Sequence, residues 1–189
     1  MKLVGMVALI VALAVTAASP RPVHAQAAGS LYTCAMHPGV LETREGKCPV
    51  CSMTLRARPM TPAEQSVADF FKAYDAAFVA KDMEKLGTMY TNDTTVYEGG
   101  GVNNGWADYR DKHLGPEMRS YADLQFAHSN VVPHMMGADG AYVTADYTLH
   151  AKVGDRVSDG GGLATYQLVK QSGAWKIKHT HTSARRRQL

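Results

Sequence analysis

The three cysteines of this 189-residue chain, Cys34, Cys48 and Cys51, all fall within eighteen residues near one end, and no other cysteine occurs. They sit between a small-residue linker, Gln26 to Ser30, and a second boundary marked by Arg56-Ala57-Arg58-Pro59 and Thr61-Pro62. The enclosed segment, Leu31 to Arg58, is too short to bury a self-sufficient hydrophobic core, so a metal ion or a disulfide must staple it. Cys34-x2-His37 and Cys48-x2-Cys51 have the spacing at which a short turn presents two side chains to one ion. Met36 and Met53 lie beside the two knuckles, and thiolate with thioether donors favours Cu(I) or Ag(I), whereas Zn(II) needs only the four Cys/His donors. A Cys48–Cys51 disulfide with Cys34 idle is the alternative staple, and it gives the paired knuckles and the methionines no purpose. Whether the ion is cargo or a structural staple stays open at this level.

Ahead of this segment, Lys2 supplies a positive start, Leu3 to Val15 an apolar run, and Val23-His24-Ala25 a small-residue cleavage site. Residues 1–25 therefore read as a signal peptide, which implies export to the periplasm. The apolar run is shorter than the roughly 20 residues needed to cross a bilayer, so no stable membrane span is expected. Removing residues 1–25 takes away Lys2 and Arg21 and no acidic residue, so the formal charge falls from +3 to +1. That balance argues against a nucleic-acid partner. A composition of 46% hydrophobic and 20% charged residues excludes a disordered or fibrous chain.

From Thr61 onward the patterns are those of an ordinary globular domain. Thr61-Pro62-Ala63-Glu64 is a capping box, and Val67, Phe70, Phe71, Tyr74 and Phe78 recur at helical spacing, predicting a helix from Pro62 to Lys81. Asp82 caps a shorter helix through Met89, Asn92-Asp93 reads as a turn, and Thr94 to Glu98 as a strand broken by Gly99-Gly100-Gly101. A third helix, Trp106 to His113, is expected to end at Gly115-Pro116. Four strands follow, at Asp123–Val132, Ala141–Val153, Gly162–Lys170 and Ala174–Thr182, with Pro133-His134-Met135-Met136 as a soft-donor turn after the first. Helices followed by successive hairpin strands indicate an α+β domain with a mostly antiparallel sheet. The Arg185-Arg186-Arg187 tail, residues 185–189, reads as solvated.

Tyr32-Thr33-Cys34-Ala35-Met36-His37-Pro38 and Lys47-Cys48-Pro49-Val50-Cys51-Ser52-Met53 closely resemble the heavy-metal-binding domain family. Such modules occur on copper- and silver-exporting ATPases and on adaptor subunits of efflux pumps, so the resemblance implies metal ions and a heavy-metal efflux system as partners. The chain departs from the family at Ala35, where Pro is usual, and at Ser52, where a Gly permits a left-handed turn. Residues 61–184 are similar to the SnoaL-like, nuclear transport factor 2-like superfamily. That resemblance rests on the order of elements, on Gly105-Trp106-Ala107-Asp108-Tyr109-Arg110-Asp111-Lys112-His113-Leu114, and on the strand ending Trp175-Lys176-Ile177-Lys178-His179-Thr180-His181-Thr182-Ser183. It implies a cone of helices on a curved sheet, with a homodimer through the cone as a further expectation, and no single activity.

Strict alternation along the last strand puts Trp175, Ile177, His179 and His181 on one inward face. With Glu98, Trp106, Tyr109 and His113, the two histidines His179 and His181 define a candidate pocket. Its imidazoles and carboxylate suit acid–base chemistry, metal binding or plain hydrogen bonding in a core. Asp146 is a strand carboxylate, and nothing in the sequence sets it opposite a tyrosine. No catalytic residue is assigned. The expected function is soft-metal binding for buffering or delivery, with a lyase, isomerase or small-molecule-binding cone beside a structural zinc module as the alternative.

Overall fold

The computed structural model describes residues 29–184, and the expected signal segment 1–25 and basic tail 185–189 lie outside them. Strand β1 (Ser30–Thr33) is the centre of a small antiparallel sheet, with β2 (Leu41–Glu42) on one side and β3 (Arg56–Pro59) on the other. Its interior is minimal. Cys34, Cys48 and Leu55 form its buried cluster, with Tyr32, Val40 and Cys51 packed around them, and Leu31 is buried outside that cluster. So thin a core cannot by itself offset the entropy of ordering the segment.

Thr61 then starts α1 (Pro62–Val79). Its hydroxyl accepts from the Glu64 N–H while the Glu64 carboxylate accepts from the Thr61 N–H, which completes the capping box. The expected stripe of Val67, Phe70, Phe71, Tyr74 and Phe78 is buried. Each such side chain contributes about 1.5–3 kcal/mol of burial. Asp82 caps α2 (Met83–Met89) through the Lys85 N–H. After it the chain enters β4 (Tyr90–Glu98), β5 (Gly101–Asn104), α3 (Trp106–Tyr109), a π-helical turn (Arg110–Leu114), α4 (Gly115–Ser120), β6 (Tyr121–Met135), β7 (Gly140–Val153), β8 (Arg156–Gln171) and β9 (Ala174–Ala184). Strands β4 to β9 form one sheet in the order β5-β4-β9-β8-β7-β6, antiparallel except for the parallel β4–β9 pair. Helix α1 lies on its concave face against β6 and the central strands. Among the described residues, no helix is long and apolar enough to cross a membrane.

Several local expectations are corrected. Asn92-Asp93 is no turn: β4 begins at Tyr90, and these residues fill an irregularity in its pairing with β9. Gly99-Gly100, both at positive φ, close a β4–β5 hairpin instead of ending the sheet. The third helix does not stop at Gly115-Pro116. The Gly115 N–H bonds five residues back to the Arg110 carbonyl, and a Cβ at Gly115 would lie 2.4 Å from that oxygen, so only glycine admits the wider turn. Pro116 then sits in the first turn of α4, where a missing N–H costs nothing. Pro133, His134 and Met135 lie in β6, not in a turn, with His134 stacked on Tyr142 at 4.2 Å. Asp123 and Asn130, both at positive φ, mark the two bulges that bend β6 along β7.

Candidate functional site

The two knuckles come together because β1 delivers Cys34 at its end and a miniature hairpin delivers the other pair. Lys47 and Thr54 bridge the base of that hairpin, the Cys48 N–H bonds the Met53 carbonyl, and the Ser52 N–H bonds the Cys48 carbonyl at 2.8 Å. Closing the turn requires Ser52 at φ +60°, the left-handed conformation for which a glycine is better suited. On the other knuckle, the His37 N–H bonds the Cys34 carbonyl.

One ligand atom from each of Cys34, His37, Cys48 and Cys51 lies within 4.8 Å of all the others. His37 presents Nδ1, 3.8 Å from Cys34 Sγ and 3.7 Å from Cys48 Sγ, and the Cys34 and Cys51 sulfurs are 3.5 Å apart. A tetrahedron with metal–sulfur bonds of about 2.3 Å and a metal–nitrogen bond of about 2.05 Å has edges of about 3.8 and 3.6 Å, so the donors fit one four-coordinate ion. All three cysteines are free thiols. Burial opposes the Cys48 thiolate, but the Cys51 and Val50 N–H groups, with the neighbouring thiols, outweigh it and lower its pKa to about 7. Cys51 is shifted upward: the Met53 N–H favours its thiolate, and burial with the two other thiols overcomes that help. Met36 and Met53 are 68% and 44% exposed.

A second candidate site is the cone's interior, a cavity of about 280 Å³ under α1. Of the pocket residues expected from sequence, Glu98 and Tyr109 line it. His113 stands behind Glu98: its Nε2 is 3.8 Å from Glu98 and 3.5 Å from Glu117, and its Nδ1 is 3.0 Å from the Asn103 amide oxygen. Trp106 stacks on the cavity residue Tyr90 at 4.9 Å.

His179 and His181 are not in the cavity, which corrects the inward assignment. Gln167 pairs with His179 but Leu168 pairs with Ile177, so Lys178 is an extra residue in β9. That bulge inverts the alternation. Thr180 and Thr182 take the inward places, while His179 packs on Tyr97 at 5.0 Å and sits 2.6 Å from the Thr95 hydroxyl on the outer face. Asp146 is likewise outside. Asn130 donates to it, and it borders a groove between the sheet and residues 41–44.

A buried hydrogen-bonded chain in the cone was not legible as a site from sequence. His128 Nδ1 lies 2.6 Å from Asp75, which also accepts from the His128 N–H, and His128 Nε2 lies 2.6 Å from the Tyr166 hydroxyl on the cavity wall. With Asp75 ionised, Nδ1–H donates to the carboxylate and Nε2 accepts from Tyr166. Two weak signals pointed there: Asp75 interrupts the apolar stripe between Phe71 and Phe78, and His128 alternates with Phe126 and Leu124. Tyr74 and Tyr90 share a further buried hydrogen bond of 2.8 Å. Burial raises Glu98, reinforced by Glu117 and opposed by His113. His113 is raised by its hydrogen bond to Glu117 against the effect of burial, with the charges of Glu117 and Glu98 adding to the rise.

Comparison with known proteins separates the same two parts. Residues 31–58 match the heavy metal binding domain, and residues 67–186 match the SnoaL-like domain. No curated protein is significantly similar in sequence. Among solved structures, a candidate ketosteroid isomerase from Shewanella frigidimarina is 23% identical, with a TM-score of 0.56 over 65% of this chain and 98% of that one. A nuclear transport factor 2-like superfamily protein from Salmonella enterica is 17% identical, with a TM-score of 0.60 over 66% of this chain and 92% of the other. A hexachlorocyclohexane dehydrochlorinase is 15% identical, with a TM-score of 0.55 over 64% and 84%. At these identities the likeness is one of fold.

Proposed function

The chain belongs to the SnoaL-like domain family and carries a heavy metal binding domain ahead of it, and on that premise we propose that it is an exported protein that binds Cu(I) or Ag(I). The observation that carries the reading is the convergence of Cys34, His37, Cys48 and Cys51 within 4.8 Å. Three thiolates and an imidazole suit a soft or borderline ion, and the thioethers of Met36 and Met53, exposed and next to the two knuckles in sequence, tilt the preference toward Cu(I) and Ag(I) over Zn(II). Loading requires thiolates, and the N–H groups aimed at Cys48 supply one near neutral pH. The apolar start of residues 1–25 supports export to the periplasm, where the module would buffer the ion or pass it to an efflux system. Exposed Tyr97, Val102 and Leu163 on the sheet support a homodimer that brings two metal modules together. The test is metal analysis of the protein isolated from the periplasm of cells given copper or zinc. Stoichiometric copper supports the reading, and zinc retained in both cultures reduces the module to a structural ribbon.

A second reading draws on the Asp75–His128–Tyr166 chain at the cavity wall. A carboxylate-oriented imidazole behind a tyrosine hydroxyl in a mostly apolar cavity is the equipment of a lyase or isomerase, or of a small-molecule binding site. The fold likeness to a dehydrochlorinase supports it. Under this reading His128→Gln alters ligand binding or turnover in the cone and leaves metal loading of the module unchanged.

A further inference from the structure

We propose that the cone cavity binds a small organic cation, an amine or quaternary ammonium carried on an apolar body. The proposal rests on the second reading, that the cavity is a ligand site, and is independent of the metal module.

The walls are mostly aromatic. Tyr74, Tyr90, Tyr109, Tyr147, Tyr166 and Phe126 face the space, and ring faces attract a cation through their quadrupoles. Its charged lining is of one sign. Glu98 and Glu117 line it, and among the described residues no Lys, Arg or His does. The ammonium of Lys81, on a neighbouring turn, is held by the Tyr121 carbonyl and is not part of the wall. His113 reaches both acidic side chains through one nitrogen, so a single imidazole faces two carboxyl groups.

A neutral guest would leave that imbalance in place, and an anion would add to it. A cation removes it. The volume, about 280 Å³, lies just below the range of about 300 to 1,000 Å³ common for ligand pockets, which suits a small guest.

The experiment is isothermal titration of the full chain at neutral pH with phenylbutylamine, phenylbutanol and phenylbutyrate, which share a body and differ in charge. The amine should bind about tenfold more tightly than the alcohol, with the acid weakest. Glu98→Gln with Glu117→Gln should bring the amine to the level of the alcohol and leave the alcohol unchanged. If the double variant does not fold, Glu117→Gln alone, at the more exposed of the two side chains, should lower the preference by roughly threefold. Equal binding of amine and alcohol overturns the cation proposal while leaving a ligand site. Failure of all three probes at millimolar concentration overturns both.

Discussion

Arg58, near the end of the metal module's last strand, grips Glu64 in the first turn of α1 through two hydrogen bonds of 2.8 and 2.6 Å, and the same carboxylate caps the helix through the Thr61 N–H. One side chain thus closes the module and opens the cone. A second tie runs from the Thr43 hydroxyl to the Asn130 amide oxygen, at the left-handed bulge of β6.

Glu64→Ala should therefore cost about 1–2 kcal/mol through the lost cap. The ion pair adds less than a buried one would, because the Arg58 side chain is 32% exposed. The Arg58 hydrogen bonds hold Glu64 below the usual carboxylate range against the effect of burial. Its folded pKa is depressed, so its contribution is present above the ordinary pKa of about 4.3 and is lost as pH falls through the lower folded value. Urea melts at stepped pH check this, and an acid limb unchanged by Glu64→Gln would contradict it.

Ser52→Gly should stabilise the module. A non-glycine residue at φ +60° costs roughly 1–2 kcal/mol, and part of the gain is given back as unfolded-chain entropy. A net gain of about 0.5–1 kcal/mol should appear as tighter metal retention under competition with a chelator. No gain would mean that the serine side chain supports the turn by itself.

Met36→Leu with Met53→Leu should weaken Cu(I) and Ag(I) under reducing conditions and leave Zn(II) nearly intact. Both side chains are exposed, so the change should alter packing by less than about 1.5 kcal/mol and be read as a loss of donors. Unchanged Cu(I) affinity would remove the thioethers from the site.

His113 is held above its ordinary range chiefly by Glu117, so Glu117→Gln should lower its pKa more than Glu98→Gln does. Because the folded chain binds this proton more tightly than the unfolded one, the resulting stability is whole below about pH 6.5 and is lost as pH rises through the raised value. Imidazole proton shifts in the two variants measure the order, and the reverse order would place Glu98 first.

Much of this molecule could be read along the chain. The Cys34-x2-His37 and Cys48-x2-Cys51 spacings, the Thr61–Glu64 capping box and the aromatic stripe of α1 depend on residues within a turn or two of each other, and local geometry suffices to interpret them. The pocket was legible only in part. Glu98 and Tyr109 line the cavity as expected, but the histidines of the last strand depend on a register that β8 imposes from across the sheet. A single extra residue at Lys178 sends His179 and His181 outward and brings Thr180 and Thr182 in. Asp75 and His128, 53 residues apart, meet because β6 crosses α1. Periodicity fixes which face a side chain takes within an unbroken element, whereas bulges and long-range pairing are settled by neighbouring strands, and only the tertiary structure brings those neighbours together.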